Sequence, residues 1–169
     1  MAEQILFTRG DLVAFEGVDD DALQFWFREG LMIPEPAEPR KHRRFNRGEA
    51  KIAAILGEAR KLGLNVHALR ALAQEVRGAL QYHVALLADL GSEASPEAQI
   101  EAAEGVSEAH YEALLLAWAV RDSRGIISLE LDGQATMAVR SVGTTLQMAG
   151  RSQILFDLDQ ILASFRRSE

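Results

Sequence analysis

Basic side chains are concentrated in one short stretch of this 169-residue sequence. Residues 40–61 contain eight lysines and arginines against two acidic residues, although the whole chain carries a formal net charge of −7. Such a local excess of cationic groups is the electrostatic footprint of a phosphate-binding surface, and its plain alternative is a solvated charged hairpin. We expect phosphate contact. The basic residues are Arg40, Lys41, Arg43, Arg44, Arg47, Lys51, Arg60 and Lys61.

The negative charge of the chain lies in its second half. Residues 1–78 contain 12 basic and 12 acidic residues, whereas residues 79–169 contain 6 basic and 13 acidic residues. Because the charge is so unevenly distributed, the net value does not exclude a nucleic-acid partner for the first half.

No arrangement of residues in the sequence indicates catalysis. The chain has no cysteine, and His42, His67, His83 and His110 show no ligand spacing. A Gly-x-Ser-x-Gly nucleophile motif and a glycine-rich phosphate loop are also missing from the sequence. We therefore predict a protein that is not an enzyme and uses no metal or cofactor. Without an apolar run of about 18 residues or a leader pattern, we expect a cytoplasmic protein with no membrane contact.

Two short helices are predicted near the start of the chain. Thr8 and Asp11 fit a capping box for the first helix, which Gly17 ends. Asp19 can cap the second helix, and Gly30 closes it. Two short helices joined by a tight turn form the core of a helix-turn-helix.

A hairpin is predicted between the second helix and the third. Three of the four prolines lie in residues 34–39, which excludes a helix there, and the basic residues then lead back to Phe45. Asn46 and Glu49 fit another capping box, and the helix they start ends at Gly63. A basic, proline-bounded hairpin between helices is typical of a wing.

The next helix is predicted to carry a dimer seam. Asn65 can cap it, its apolar positions alternate steps of three and four residues as in a coiled coil, and Gly91 ends it. Gly78 weakens the prediction of an unbroken rod, and Ser95 can cap a further helix, a second candidate dimer surface. The seam positions are Val66, Leu69, Ala73, Val76, Leu80, His83, Leu87 and Leu90.

After Gly125 the apolar pattern alternates, as in β-strands. We predict strands at 127–131 and 135–139 joined by an Asp132-Gly133 type I′ turn, further strands at 144–148 and 152–156, and a final helix over 158–165. The predicted fold class is mainly α with a small C-terminal α+β part. Its domains are a winged helix-turn-helix at 1–78, and a helical dimerisation region with a small effector or interaction domain at 79–169.

Residues 5–77 resemble the DNA-binding domain of the mercury-resistance regulator (MerR) family. The first helix and its Gly-Val turn span residues 11–18, and the second helix ends in Arg28-Glu29-Gly30-Leu31. The wing ends in Arg43-Arg44-Phe45, and the third helix ends in Arg60-Lys61-Leu62-Gly63. Each piece is weak alone, but the ordered set at this spacing is fairly specific.

The resemblance implies a sequence-specific DNA-binding transcription regulator that binds an inverted repeat as a homodimer. Arg43 would be the wing arginine on DNA phosphates, with Phe45 in place of the family's tyrosine. Gln24 stands where the family usually has arginine and could read adenine, and Trp26 stands where a tyrosine usually reaches the DNA backbone. The predicted DNA-binding residues are Gln24, Trp26, Arg28, Arg40, Lys41, Arg43 and Arg44.

Two other functions remain open at this point. One is an accessory or architectural DNA-binding protein of the excisionase or phage-packaging kind. The other is a protein-interaction module whose helix-turn-helix no longer binds DNA, which Asp19, Asp20, Asp21 and Gln24 would suggest. In each case the C-terminal part is a candidate site for a small-molecule or protein effector.

Overall fold

The fold is that of a computed structural model, which describes residues 5–36, 42–91, 94–95, 98–99, 101–102, 126–131, 135–140 and 153–166. The chain is mainly helical and divides into two compact units, Met1–Gln74 and Glu75–Glu169. Within the described ranges, no helix has the length and apolar character needed to cross a bilayer.

Two short helices open the first unit, as predicted. Helix α1 spans Arg9–Val13, and the side chain of Thr8 and the carboxylate of Asp11 form the expected capping box. Helix α2 spans Asp20–Arg28, and the Asp19 carboxylate accepts a hydrogen bond from the Ala22 N–H at 2.7 Å. Local side-chain to backbone bonds therefore set where both helices start.

Two longer helices follow. Helix α3 spans Arg47–Lys61 and α4 spans Val66–Leu90, with Asn46 capping the first and Asn65 accepting from the Ala68 N–H at the start of the second. Helix α4 continues through Gly78, so the predicted weakening of the rod does not break it. The glycines that follow these helices, Gly63 and Gly91, have φ of 75° and 91°, a region that glycine enters without steric cost.

The core of the first unit forms where the turn after α1 meets α3. A Cβ atom on Gly57 of α3 would overlap the Glu16 carbonyl oxygen, so the backbones approach too closely for any side chain there. The largest fully buried side chains are Trp26, Phe45, Leu12, Leu23, Leu31, Ile52, Ile55, Leu56 and Leu72. The two short helices and α3 thus share one apolar interior.

The predicted coiled-coil seam of α4 is wrong in its central part. Leu69, Ala73, Val76 and His83 are at most 4% exposed in the single chain. A periodic apolar stripe indicates only that one helix face is covered, and here the chain itself covers it. The His83 imidazole Nε2 lies 3.1 Å from the Gln99 Oε1, so this histidine has a partner within the chain.

The second unit contains an antiparallel sheet of order β2-β1-β3. Strand β1 spans Ile126–Leu131, β2 spans Ala135–Arg140 and β3 spans Gln153–Asp157, which confirms three of the predicted strands. The predicted final helix is divided into α5, Leu158–Ile161, and α6, Ala163–Arg166. The predicted strand at 144–148, the turn at Asp132-Gly133 and most of the helix after Ser95 lie outside the described residues.

Candidate nucleic-acid interface

An open cleft of about 990 Å³ lies on the first unit. It is lined by the start of α1, by α2 and by residues 42–45. The last four belong to the arm, defined here as residues 33–45, of which 33–36 and 42–45 are described. Four of the predicted DNA-binding residues, Gln24, Arg28, Arg43 and Arg44, meet here although they come from two separate segments. The lining residues are Thr8, Arg9, Gly10, Asp21, Gln24, Phe25, Phe27, Arg28, His42, Arg43, Arg44 and Phe45.

Helix α2 presents polar side chains on its exposed face. Asp21, Gln24 and Arg28 are exposed and follow one another at steps of three and four residues, so they form one row along the helix. The side chain of Arg28 is 73% exposed. Such a row of hydrogen-bonding groups is suited to the base edges of a DNA groove.

Trp26 is a core residue, which corrects the prediction that it contacts DNA. Its side chain is 1% exposed and lies on the buried side of α2 together with Leu23. Helical spacing places position 26 away from the row of Asp21, Gln24 and Arg28. The ring therefore holds α2 on the core and offers no surface to a ligand.

Two arginines of the cleft rest on phenylalanine rings. The Arg43 guanidinium carbon lies 5.1 Å from the centre of the Phe27 ring, and that of Arg28 lies 5.3 Å from the centre of the Phe25 ring. Phe27 in turn stacks on buried Phe45 with ring centres 5.4 Å apart. A guanidinium stacked on a ring is restrained, yet its N–H donors lie in its own plane and stay available to phosphate oxygens.

Arg43 and Arg44 are exposed, and neither forms an ion pair within the described part of the chain. The other basic residues of the predicted cluster differ. Lys61 pairs with Glu16 and Glu58, which raise its pKa, Arg60 pairs with Asp19, and Lys51 is buried. Arg40 and Lys41 lie outside the described residues. The predicted cluster of eight is therefore not one continuous surface.

The three aspartates at the start of α2 do not act as three free negative charges. The hydrogen bond from the Ala22 N–H lowers the pKa of Asp19, and Arg60, 2.8 Å away, lowers it further. Asp20 pairs with Arg9 at 2.6 Å. Only Asp21 lines the cleft, where it can accept a hydrogen bond from a base amino group.

Several residues of the cleft are not predictable from the sequence patterns above. The sequence patterns assign Thr8 only to a helix cap, and they assign no DNA-binding role to Arg9, His42 or Phe25. The phenylalanine platform could have been suspected because Phe25 and Phe27 flank the polar row of an amphipathic helix. Within the described ranges, no cluster of three or more histidine and carboxylate side chains could hold a metal ion.

A comparison of the chain with models of known protein families found no match, and a comparison with curated proteins found none either. The chemistry of the cleft is therefore the basis for assigning a function.

Proposed function

We propose that the first unit binds double-stranded DNA and that the protein regulates transcription. Helix α2 would enter the major groove with Gln24 and Arg28 at the base edges, and Arg43 and Arg44 would contact phosphates beside it. The carrying observation is that two exposed arginines without ion-pair partners in the described chain lie in the same cleft as the exposed row of α2. Arginines alone would also suit an acidic protein partner, but the exposed row of α2 adds groups that can hydrogen-bond to base edges.

We further propose that the protein acts as a homodimer on an inverted repeat, since a two-fold dimer would present two copies of α2 to one duplex. Val84 and Leu90 of α4 are 68% and 40% exposed and are available for contact with a second copy. The second unit, with its own sheet and helices, would receive a small-molecule or protein signal.

Selection from a random double-stranded DNA library tests this function. The purified chain should enrich a sequence, and the double variant Arg43→Ala, Arg44→Ala should lose most of that binding because it removes two cations from the phosphate-binding surface. Enrichment of an inverted repeat would support the dimer, whereas a single site would favour a monomeric or accessory role.

The matched control is the double variant Lys61→Ala, Arg70→Ala. It removes the same positive charge, but Lys61 pairs with Glu16 and Arg70 pairs with Glu29 at 3.1 Å. We expect it to bind DNA far better than the arm variant, with any loss limited to the effect of the freed Glu29 carboxylate on Arg28, whose Nε lies 3.6 Å away. Absence of binding by the unchanged protein would refute the DNA function and favour a protein-interaction module.

A further inference from the structure

Residues 42–45 of the arm are held where α3 begins. The Glu35 N–H donates to the Arg44 carbonyl oxygen at 2.8 Å, and Phe45 exchanges two backbone hydrogen bonds with Phe7 at 2.8 and 2.9 Å. Phe45 is fully buried. Arg43 and Arg44 therefore lie within two residues of a point that the core fixes.

The first turn of α3 and its cap also hold residues 33–35 of the arm. The Asn46 side chain caps α3 through its Oδ1, which accepts from the Glu49 N–H at 2.9 Å, and its Nδ2 donates to the Glu35 carboxylate at 2.7 Å. The Glu49 carboxylate, 5% exposed, accepts from the Ile33 N–H at 2.9 Å. A cap needs only the acceptor oxygen of Asn46, so the hydrogen bond from its amide nitrogen to Glu35 serves something other than capping.

We propose that Asn46 and Glu35 are positioning residues for DNA binding, because their hydrogen bond holds the arm in the conformation that presents Arg43 and Arg44. This inference rests on the proposed function. Glu35 joins the two described segments of the arm, since its N–H donates to the Arg44 carbonyl oxygen and its carboxylate accepts from the Asn46 side chain at the cap of α3. Because these segments are held in place before DNA binds, less conformational entropy is lost when the complex forms.

Two variants of Glu35 separate this role from charge. Glu35→Ala and Glu35→Gln both remove one negative charge from the arm, but only glutamine keeps an acceptor for the Asn46 amide. We expect Glu35→Ala to bind a fluorescent mixed-sequence duplex about two- to tenfold more weakly than Glu35→Gln, the range of one net hydrogen bond. Asn46→Ser, which keeps a capping oxygen and lacks the amide donor, should weaken binding similarly while α3 stays folded.

Combining Asn46→Ser with the arginine substitutions distinguishes positioning of the arginines from a general effect on the fold. In the Arg43→Ala, Arg44→Ala background, Asn46→Ser should have no further effect on DNA affinity if it acts through those arginines. An undiminished effect in that background would overturn the inference, and so would equal affinities of Glu35→Ala and Glu35→Gln. If the unchanged protein does not bind the duplex, the proposed function fails and the inference with it. Binding that every variant retains would refute the positioning role alone.

Discussion

Arg28 and Arg43 rest on neighbouring phenylalanines of α2 but belong to different segments of the chain. Arg28 lies in the exposed row of the helix with Asp21 and Gln24, whereas Arg43 lies on the arm. An arginine that reads guanine makes two hydrogen bonds to one base, whereas an arginine on phosphate carries no sequence information. Removing Arg28 should therefore change base preference, whereas removing Arg43 should change only the overall affinity for DNA.

The variant Arg28→Ala should lose a preference for guanine at one base pair, with a cost of about 1–3 kcal/mol at that position. Arg43→Ala should weaken binding about equally for all sequences. Selections from the same random duplex library with each variant measure both effects. Arg28→Lys is the control, because it keeps the charge without the two-pronged geometry. If Arg28→Ala lowers affinity with unchanged base preference, Arg28 is a phosphate contact.

At the scale of elements, α2 depends on Asp19 both as a cap and as the partner of Arg60. The pKa of Asp19 is lowered in the folded state, so its stabilising contribution is complete above the unfolded value of about 4 and is lost as the pH falls through the lower folded value. Its effect on stability should therefore disappear in acid.

We expect Asp19→Asn to lower the unfolding midpoint at pH 7, because asparagine caps but does not carry the charge that Arg60 attracts. The difference from the unchanged protein should shrink at about pH 3, because the carboxyl is then largely protonated in the unfolded state and its lowered pKa no longer favours the folded state fully. Urea unfolding at the two pH values measures this, with Asp21→Asn as the control in the same turn. A difference of equal size at both values would contradict the role of the charge.

Replacing either of two helical glycines with alanine should change the free energy of unfolding, but in opposite directions. A Cβ on Gly57 would overlap the Glu16 carbonyl oxygen and lie 2.8 Å from a Val18 methyl, whereas a Cβ on Gly78 would meet no described atom within 4 Å. Gly57→Ala should destabilise the fold by at least about 1–3 kcal/mol, since the backbone at Glu16 must move to make room. Gly78→Ala should stabilise α4 by up to about 1 kcal/mol. Urea unfolding measures both, and a neutral Gly57→Ala would refute the close approach.

At the scale of the whole molecule, a chain of net charge −7 is proposed to bind a polyanion. Charges separated by more than a Debye length, about 10 Å at 0.1 M salt, are largely screened, so the residues of the cleft itself dominate the field that a bound DNA meets. DNA affinity should consequently fall with salt as for a basic protein of few phosphate contacts.

The slope of log affinity against log salt should become shallower by about 2 in Arg43→Ala, Arg44→Ala, one for each arginine that no longer neutralises a phosphate. Lys61→Ala, Arg70→Ala should leave the slope nearly unchanged, because those cations are already paired. Titrations of one labelled duplex at several salt concentrations give the slopes. Equal slopes for the unchanged protein and the arm variant would show that Arg43 and Arg44 do not contact phosphate.

The amino-acid sequence alone determined features that depend on neighbours within three or four residues. The caps of Thr8, Asp19, Asn46 and Asn65, and the strands at 126–131, 135–140 and 153–157, were predictable because capping and alternation are local. Gln24 and Arg28 could likewise be selected as exposed positions of one helix face.

Tertiary structure alone decided which charges stay available and which apolar stripes are covered. Arg60 finds Asp19 and Lys61 finds Glu16 across more than 40 residues, and α4 is covered along much of its predicted seam. Trp26 becomes core while Phe25 and Phe27 become platforms for arginine. Composition and periodicity indicate which interactions a side chain can form. Its burial and its ion-pair partner depend on contacts between segments far apart in the sequence, which local patterns do not predict.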